Sequence, residues 1–169
     1  MGMTEAKQET IINAINAHFN HAVIKHEMLY DMFTVTLRKD AVIPAIQWLY
    51  DNEELKFRFL TTMCALHYPD QKDELGMMYQ LHSLENNLRI RIKTFFPKDL
   101  AVMPTLTGLY SAANWMERQE YDFFGVDFKG HPNLKRILNV DDMVIHPMRK
   151  EFPLEDQTRK DKNDTMFGR

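Results

Sequence analysis

Nine consecutive residues constrain this chain more than any others: LRIRIKTFF at 88–96 alternates apolar and cationic side chains with a period of two. Only an extended strand has that period, so Leu88, Ile90, Ile92 and Thr94 share one face and Arg89, Arg91 and Lys93 share the other. One face therefore belongs to a core, and the other is solvated or meets an acidic partner. LGMMYQLHS at 75–83 precedes it across Glu85, Asn86 and Asn87, and the two segments read as a hairpin.

The elements before this hairpin follow from the same periodicities. Residues 4–19 place Ile11, Ile12, Ile15 and Phe19 at helical spacing. AVIK (22–25) and YDMFTVTL (30–37) read as two short strands, with Phe33, Val35 and Leu37 alternating in the second. Asp40 is a candidate N-cap for a helix whose stripe is Val42, Ile43, Ile46 and Leu49, provided that Pro44 falls in its first turn. Asp51 and Asn52 end that helix, FRFL (57–60) returns as a strand, and YPDQKDELG (68–76) is a polar loop. One sheet with both helices on a single face buries every stripe at once. The expected fold is an α+β two-layer sandwich with a mixed sheet of about five strands, helices on one face and an extended C-terminal arm. Residues 1–103 form the domain, 104–126 a helix and turn leading out of it, and 127–169 an extended partner-binding arm.

Composition narrows the function classes. A length of 169 residues suits one domain. With 44% hydrophobic and 27% charged residues the chain is globular, and a net charge of −3 gives no case for a nucleic-acid partner. A single cysteine, Cys64, excludes an internal disulfide and any cysteine-built zinc or iron–sulfur site within this chain alone. Its surroundings, TTMCALHY, read as those of a buried thiol. No stretch approaches the ~18 apolar residues of a membrane helix. The polar start MGMTEAKQET reads as neither a signal nor a transit peptide. The expected place is the cytoplasm, with any membrane association supplied by other chains. Twelve methionines hint at adaptable partner surfaces.

The densest chemistry lies beyond Pro104. SAANWMERQEYDFFG (111–125) opens with Ser111, an N-cap residue, and closes with Gly125, suited to the position past a helix end. Ala112, Trp115, Met116, Gln119 and Phe123 lie along one side of that helix. Prolines 132, 147 and 153 then break the pattern. The apolar knots Leu134, Ile137 with Leu138, and Val144 with Ile145 are too irregular for one helix, so the arm folds back on its own domain or lies on another protein.

Four readings of this region stand side by side. His131 and His146, with Asp141 and Asp142 between them, supply metal-ligand types at a spacing that matches no compact motif. Glu117, Glu120 and Asp122 with a histidine could do acid–base work in a free-standing enzyme, although no nucleophile or phosphate loop accompanies them. The charges could simply be solvated. The fourth reading is a docking surface. Three carboxylates crowd the C-terminal half of the helix, where its dipole disfavours each by roughly 0.3–1 kcal/mol. Arg118 can pair with Asp122 only in the weaker orientation. Arg136, Arg149 and Lys150, or basic groups on another subunit, are the cations that repair this arrangement.

ERQEYDFFGVDFKGHPNLKRIL (117–138), followed by HPMRKEFPL (146–154), resembles the signature of the 30-kDa subunit family of respiratory complex I, the bacterial NADH–quinone oxidoreductase. FLTTMCALHYPD, YQLHSLENNLRIRIK and LYSAANWMERQEYDFFG follow the same family order. Gln119, Lys135, Met143 and Ile145 depart from its usual pattern. The resemblance implies a non-catalytic structural subunit in the peripheral arm of an enzyme that passes electrons from NADH through FMN and iron–sulfur clusters to quinone, coupled to proton translocation. It implies no cofactor in this chain, with FMN and clusters in partner subunits. It also implies contact with the large 49-kDa-type subunit of the quinone module, and a peripheral position on the cytoplasmic side of the bacterial plasma membrane. The interface residues it points to are Glu117, Arg118, Glu120, Tyr121, Asp122, Gly125, His131, Pro132, Arg136, His146, Pro147, Arg149 and Lys150. Related subunits occur in membrane-bound hydrogenases, which leaves that parent enzyme open. The tail 155–169, with Met166 and Phe167 as anchors, is expected to order only on a partner.

Overall fold

The structure, a computed structural model, describes residues 4–152. The expectation for the 155–169 tail lies outside those residues. Helix α1 (Glu5–His18) is followed by β1 (Val23–Leu29) and β2 (Met32–Leu37), then α2 (Lys39–Asp51). Strands β3 (Phe59–His67), β4 (Leu75–Ser83) and β5 (Leu88–Phe96) complete a five-stranded sheet of order β1-β2-β5-β4-β3. The β2–β5 pairing is parallel, with Phe33 opposite Ile90 and Val35 opposite Ile92, and the other pairings are antiparallel. The fold is the mixed α+β sandwich the alternation demands.

The face made by Phe33, Val35, Met63, Tyr79, Leu81, Ile90 and Ile92 is buried against Ile11 and Ile15 of α1 and Val42, Ile46 and Leu49 of α2. Each side chain of this size contributes roughly 1.5–3 kcal/mol by leaving water. The opposite face of β5 carries Arg89, Arg91 and Lys93, as its period requires.

Several boundaries differ from expectation, for physical reasons. Tyr30 and Asp31 take positive φ (50° and 58°) and form the two-residue hairpin turn, so the second strand starts at Met32 and not at residue 30. Arg38, not Asp40, stands at the N-cap of α2, and Pro44 is the sixth helical residue and not part of the first turn. The proline removes a bond to the carbonyl of Asp40, an exposed residue that water can solvate. The FRFL strand begins at Phe59 and runs on to His67. Phe57 is buried ahead of it, its amide bonded to the Leu49 carbonyl at 3.1 Å. Cys64 is half-buried, not fully buried, and burial pushes its thiol pKa up.

Beyond the sheet, a one-turn 3-10 helix (Lys98–Leu100) leads into β6 (Val102–Pro104), then α3 (Ala113–Phe124) and β7 (Asp127–Lys129). Strands β6 and β7 pair in parallel, an element with no sequence signal at three residues apiece. Met103, Tyr110, Ala113, Val126 and Phe128 belong to the same core as the sheet. Residues 104–126, expected to lead out of the domain, therefore lie on it.

Candidate functional site

α3 buries its charged side. Ala113, Glu117, Arg118, Glu120 and Asp122 are its buried residues, whereas Trp115, expected on the packed stripe, is 61% exposed. Ser111 does not cap the helix. Ala112 holds that position in a helical conformation, and the amide of Ala113 already bonds to the Tyr110 carbonyl at 3.0 Å. The turn through residues 106–110 feeds directly into the helix, so no side-chain cap is used.

The three carboxylates serve three different places. Glu117 accepts from the Leu106 amide and the Thr105 hydroxyl, both at 2.6 Å, and so fixes the entry to the helix. Burial raises its pKa, partly offset by those two donors. Glu120 accepts the Ala65 amide at 2.6 Å. Ala65 lies on β3, an edge strand whose outward N–H groups have no ladder partner. Burial pushes the Glu120 carboxyl up to about 7, against the pull of the Ala65 amide and the Gln119 side chain.

Asp122 faces the arm. Its carboxylate accepts from Arg136 Nη1 at 2.7 Å, from the amides of Ile137, Leu138 and Asn139 at 2.9–3.1 Å, and from Asn139 Nδ2 at 3.0 Å. Burial alone would raise its pKa, but the Asn139 and Leu138 amides, the Asn139 side chain and Arg136 together hold it well below the usual carboxylate range.

A helix ends with carbonyls that lack intrahelical donors, and here the chain supplies donors for all of them. Tyr121 O receives the Gly125 amide at 2.9 Å, with Gly125 in the left-handed conformation (φ 71°). Asp122 O receives Arg136 Nη1 at 3.0 Å and His146 Nδ1 at 3.1 Å. Phe123 O receives the Met148 amide at 3.2 Å, and Phe124 O receives Arg149 Nε at 2.7 Å. Cationic guanidinium groups at this end also offset the helix dipole. Arg136 further donates to the carbonyls of Met143 and Ile145, and Arg118 donates to those of Lys135 and Arg136, both at 3.1 Å. The anticipated Arg118–Asp122 pair is therefore not formed, because each has a better-placed partner in the arm.

The remaining expected residues sit around this hub. Tyr121 meets the His146 ring edge-on at 6.4 Å. Burial, with Arg149 and Arg136 nearby, lowers the His146 pKa. His131 Nε2 bonds to the Asn114 carbonyl at 3.0 Å, and Pro132 beside it is exposed. Pro147 occupies the second position of a turn closed by the Arg149 amide on the His146 carbonyl at 3.1 Å. The Lys150 amide bonds His67 Nδ1 at 2.9 Å and its ammonium lies over Tyr68, so Lys150 does not reach the helix end.

This constellation is a clamp in its chemistry. The carboxylates point to separate elements, each bonded by donors of this chain. No group of three or more His, Cys, Asp or Glu among the described residues is placed to hold a metal ion. With its inner side pinned, the arm shows apolar side chains outward: Leu138 is 68%, Val140 64%, Val144 92% and Met148 56% exposed. Val140 and Met148 carry no signal in the sequence, where isolated apolar residues among polar ones have no period.

Comparison with known proteins gives a consistent family. The model of the respiratory-chain NADH dehydrogenase 30-kDa subunit matches residues 35–158. An NADH-quinone oxidoreductase subunit from Citrifermentans bemidjiense is 35% identical over 155 residues, which is 92% of this chain and 95% of that protein. The mitochondrial NADH dehydrogenase (ubiquinone) iron-sulfur protein 3 of Candida albicans is 37% identical over 73% of this chain and 44% of its own. Among solved structures, a trypsin-resistant fragment (1–134) of Nqo5 superposes with a TM-score of 0.63 at 26% identity, over 75% of this chain and 98% of the fragment. A chain of an archaeal membrane-bound sulfane sulfur reductase, a respiratory membrane complex, superposes with a TM-score of 0.71 at 25% identity, over 88% of this chain and 86% of that one.

Proposed function

Because this chain belongs to the 30-kDa subunit family of respiratory-chain NADH dehydrogenase, we propose that it is a non-catalytic structural subunit in the peripheral arm of an NADH–quinone oxidoreductase. Its arm docks on the large 49-kDa-type subunit of the quinone-reducing module. FMN and the iron–sulfur clusters belong to other subunits, since one cysteine supplies one thiolate where a cluster takes four. No described helix is long and apolar enough to cross a membrane, and the chain is held at the cytoplasmic side of the plasma membrane through its partners.

The observation that carries this reading is the two-sided arm. Its polar side is locked onto α3 by Asp122, Arg136 and Arg149, and its outer side presents Leu138, Val140, Val144 and Met148 to solvent. Exposed apolar side chains on a pinned scaffold mark a protein interface. The thirteen residues named from the sequence then divide in role: most position the arm, and the apolar groups touch the partner.

The test is purification of the tagged chain in mild detergent with identification of what accompanies it. The expected companion is the 49-kDa-type subunit, and Leu138→Asp with Val144→Asp should cut its recovery at least tenfold without lowering the melting temperature of the chain. A chain that purifies alone and turns over substrate overturns the reading. The likeness to the archaeal sulfane sulfur reductase favours a second parent, a related membrane-bound reductase or hydrogenase, and the identity of the companions decides between them.

A further inference from the structure

The core side of the sheet is covered by α1 and α2, but its other face carries an unmatched charge. Arg89, Arg91 and Lys93 follow one another along β5 at about 6.8 Å per step. Their cross-strand neighbours are neutral: Arg91 lies between Thr34 and Gln80, Lys93 between Thr36 and Met78, and Arg89 beside His82. The one carboxylate in these rows, Glu27 of β1, is taken by Lys25 at 2.6 Å. Among the described residues none of the three cations has an ion pair or a hydrogen bond. Arg91 Nε and His82 Nε2 are shielded from solvent without a hydrogen-bond partner among the described residues, a condition that is unfavourable for a buried polar group.

Apolar groups flank the cations. Met78, Cys64, Leu66 and Phe95 are half-buried on the same face. At its Arg89 end the face runs into a cavity of about 230 Å³ lined by Lys56, Arg58, Phe59, His82, Leu84 and Glu85. Phe59 and Leu84 there are 46% and 65% exposed. Lys56 and Arg58 already hold Glu85 and Glu53, so the missing acceptors belong to the β5 row.

We propose that this open sheet face docks an acidic segment of a neighbouring subunit, with carboxylates on Arg89, Arg91 and Lys93 and an apolar side chain in the cavity beside Phe59 and Leu84. An extended segment with acidic residues at alternate positions repeats at the spacing of the β5 cations. Arginine forks suit such carboxylates. The site is separate from the arm, and it rests on the reading that the chain works within an assembly.

The experiment places the photocrosslinker p-benzoylphenylalanine at Gln80, the cross-strand neighbour of Arg91, in the tagged full chain expressed in its host. Irradiated complex is digested and the crosslinked peptides are sequenced. The expected product joins position 80 to a segment of another subunit with at least two Asp or Glu within about four residues. Arg89→Glu with Arg91→Glu should lower its yield at least tenfold, and Arg91→Lys should keep it within twofold. Melting curves of each purified variant identify any that fails to fold. Crosslinks to a segment lacking carboxylates, to a second copy of this chain or to its own residues 153–169 overturn the proposal. So does an intact complex with no crosslink, which leaves the assembly reading standing. A chain that co-purifies with no other subunit overturns both.

Discussion

Asp122 and Glu120 are two residues apart on one helix, yet their environments push them in opposite directions. Asp122 gathers Arg136, three backbone amides and the Asn139 side chain, whereas Glu120 has one backbone amide and a side-chain amide of Gln119. Asp122→Ala would leave the Arg136 guanidinium without its counter-charge, on backbone carbonyls alone, and orphan the amides of residues 137–139. The expected loss is about 3–5 kcal/mol in urea unfolding, the range for breaking a buried pair from one side, and a loss below ~1 kcal/mol would show that the hub does not hold the arm. Gly125 is tied to the same place. A Cβ there would lie 2.5 Å from the His146 ring and 2.7 Å from Arg149, on a backbone with φ +71°. Gly125→Ala should therefore cost more than the ~1 kcal/mol of the backbone conformation alone, with Met148 and Arg149 amide exchange accelerating first. The need of Asp122 for a cation, and Arg136 as its candidate, were legible in the sequence from helix-dipole energetics. The bonds of Arg118, His146 and Arg149 were not, because a backbone carbonyl is an acceptor at every position and leaves no mark in the residue order.

At the level of elements, periodicity spoke clearly only where one face is dry and the other wet. β4 and β5 fall at 75–83 and 88–96 as the alternation demands. β3 loses its phase at one place: the pairing with β4 shifts register between Leu60 and Thr62, so buried Leu60 is out of step with Met63, Ala65 and His67, and no single period runs from Phe59 to His67. α3 misleads more, since its buried side is charged and its tryptophan is outside. Apolar periodicity presumes that burial follows hydrophobicity, and a helix satisfied by carboxylate–amide bonds breaks that premise. Trp115→Ser should thus cost no more than ~1 kcal/mol, the worth of the Arg118 guanidinium 5.0 Å over its ring, whereas Ala113→Leu, at a fully buried site, should cost ~1–3 kcal/mol by overpacking. The reverse ranking in thermal melts would mean that α3 packs by its apolar stripe. α2 carries the opposite kind of flaw. Pro44 is exposed and interior to the helix, so Pro44→Ala should raise the unfolding free energy measured in urea by up to the ~3 kcal/mol that separates the two residues in helix interiors.

For the molecule as a whole, these groups combine into a pH dependence that runs against the usual one for carboxylates. Glu120 has its folded pKa raised from 4.5 to about 7 by burial. The folded chain holds that proton over a range where the unfolded chain has released it, so the associated stability is full below pH 4.5 and is lost as pH rises towards 7. The whole interval is worth ~3 kcal/mol, and roughly 1 kcal/mol of it falls between pH 6 and 8. Glu117, also raised by burial, acts in the same sense. Asp122 and His146 act in the other. Asp122, depressed by its donors, contributes stability above pH 3.8 that disappears on acidification. His146, lowered by burial and by Arg149 and Arg136, contributes above pH 6.5 and loses that contribution as pH falls through its folded value. Asp122 is at full effect above pH 3.8 and Glu120 below pH 4.5, and the one gain from His146 does not offset the losses from two glutamates, so these groups together favour pH near 4 to 4.5 and the chain should weaken from there towards pH 8. Glu120→Gln keeps an oxygen to accept the Ala65 amide but cannot ionise. Urea midpoints measured from pH 5 to 8.5 should fall for the native chain and stay nearly level for this variant above pH 6. Parallel slopes in the two proteins would mean that the carboxylate covering the β3 edge is ionised throughout, and that the junction between domain and α3 is wetter than the burial of Glu120 implies.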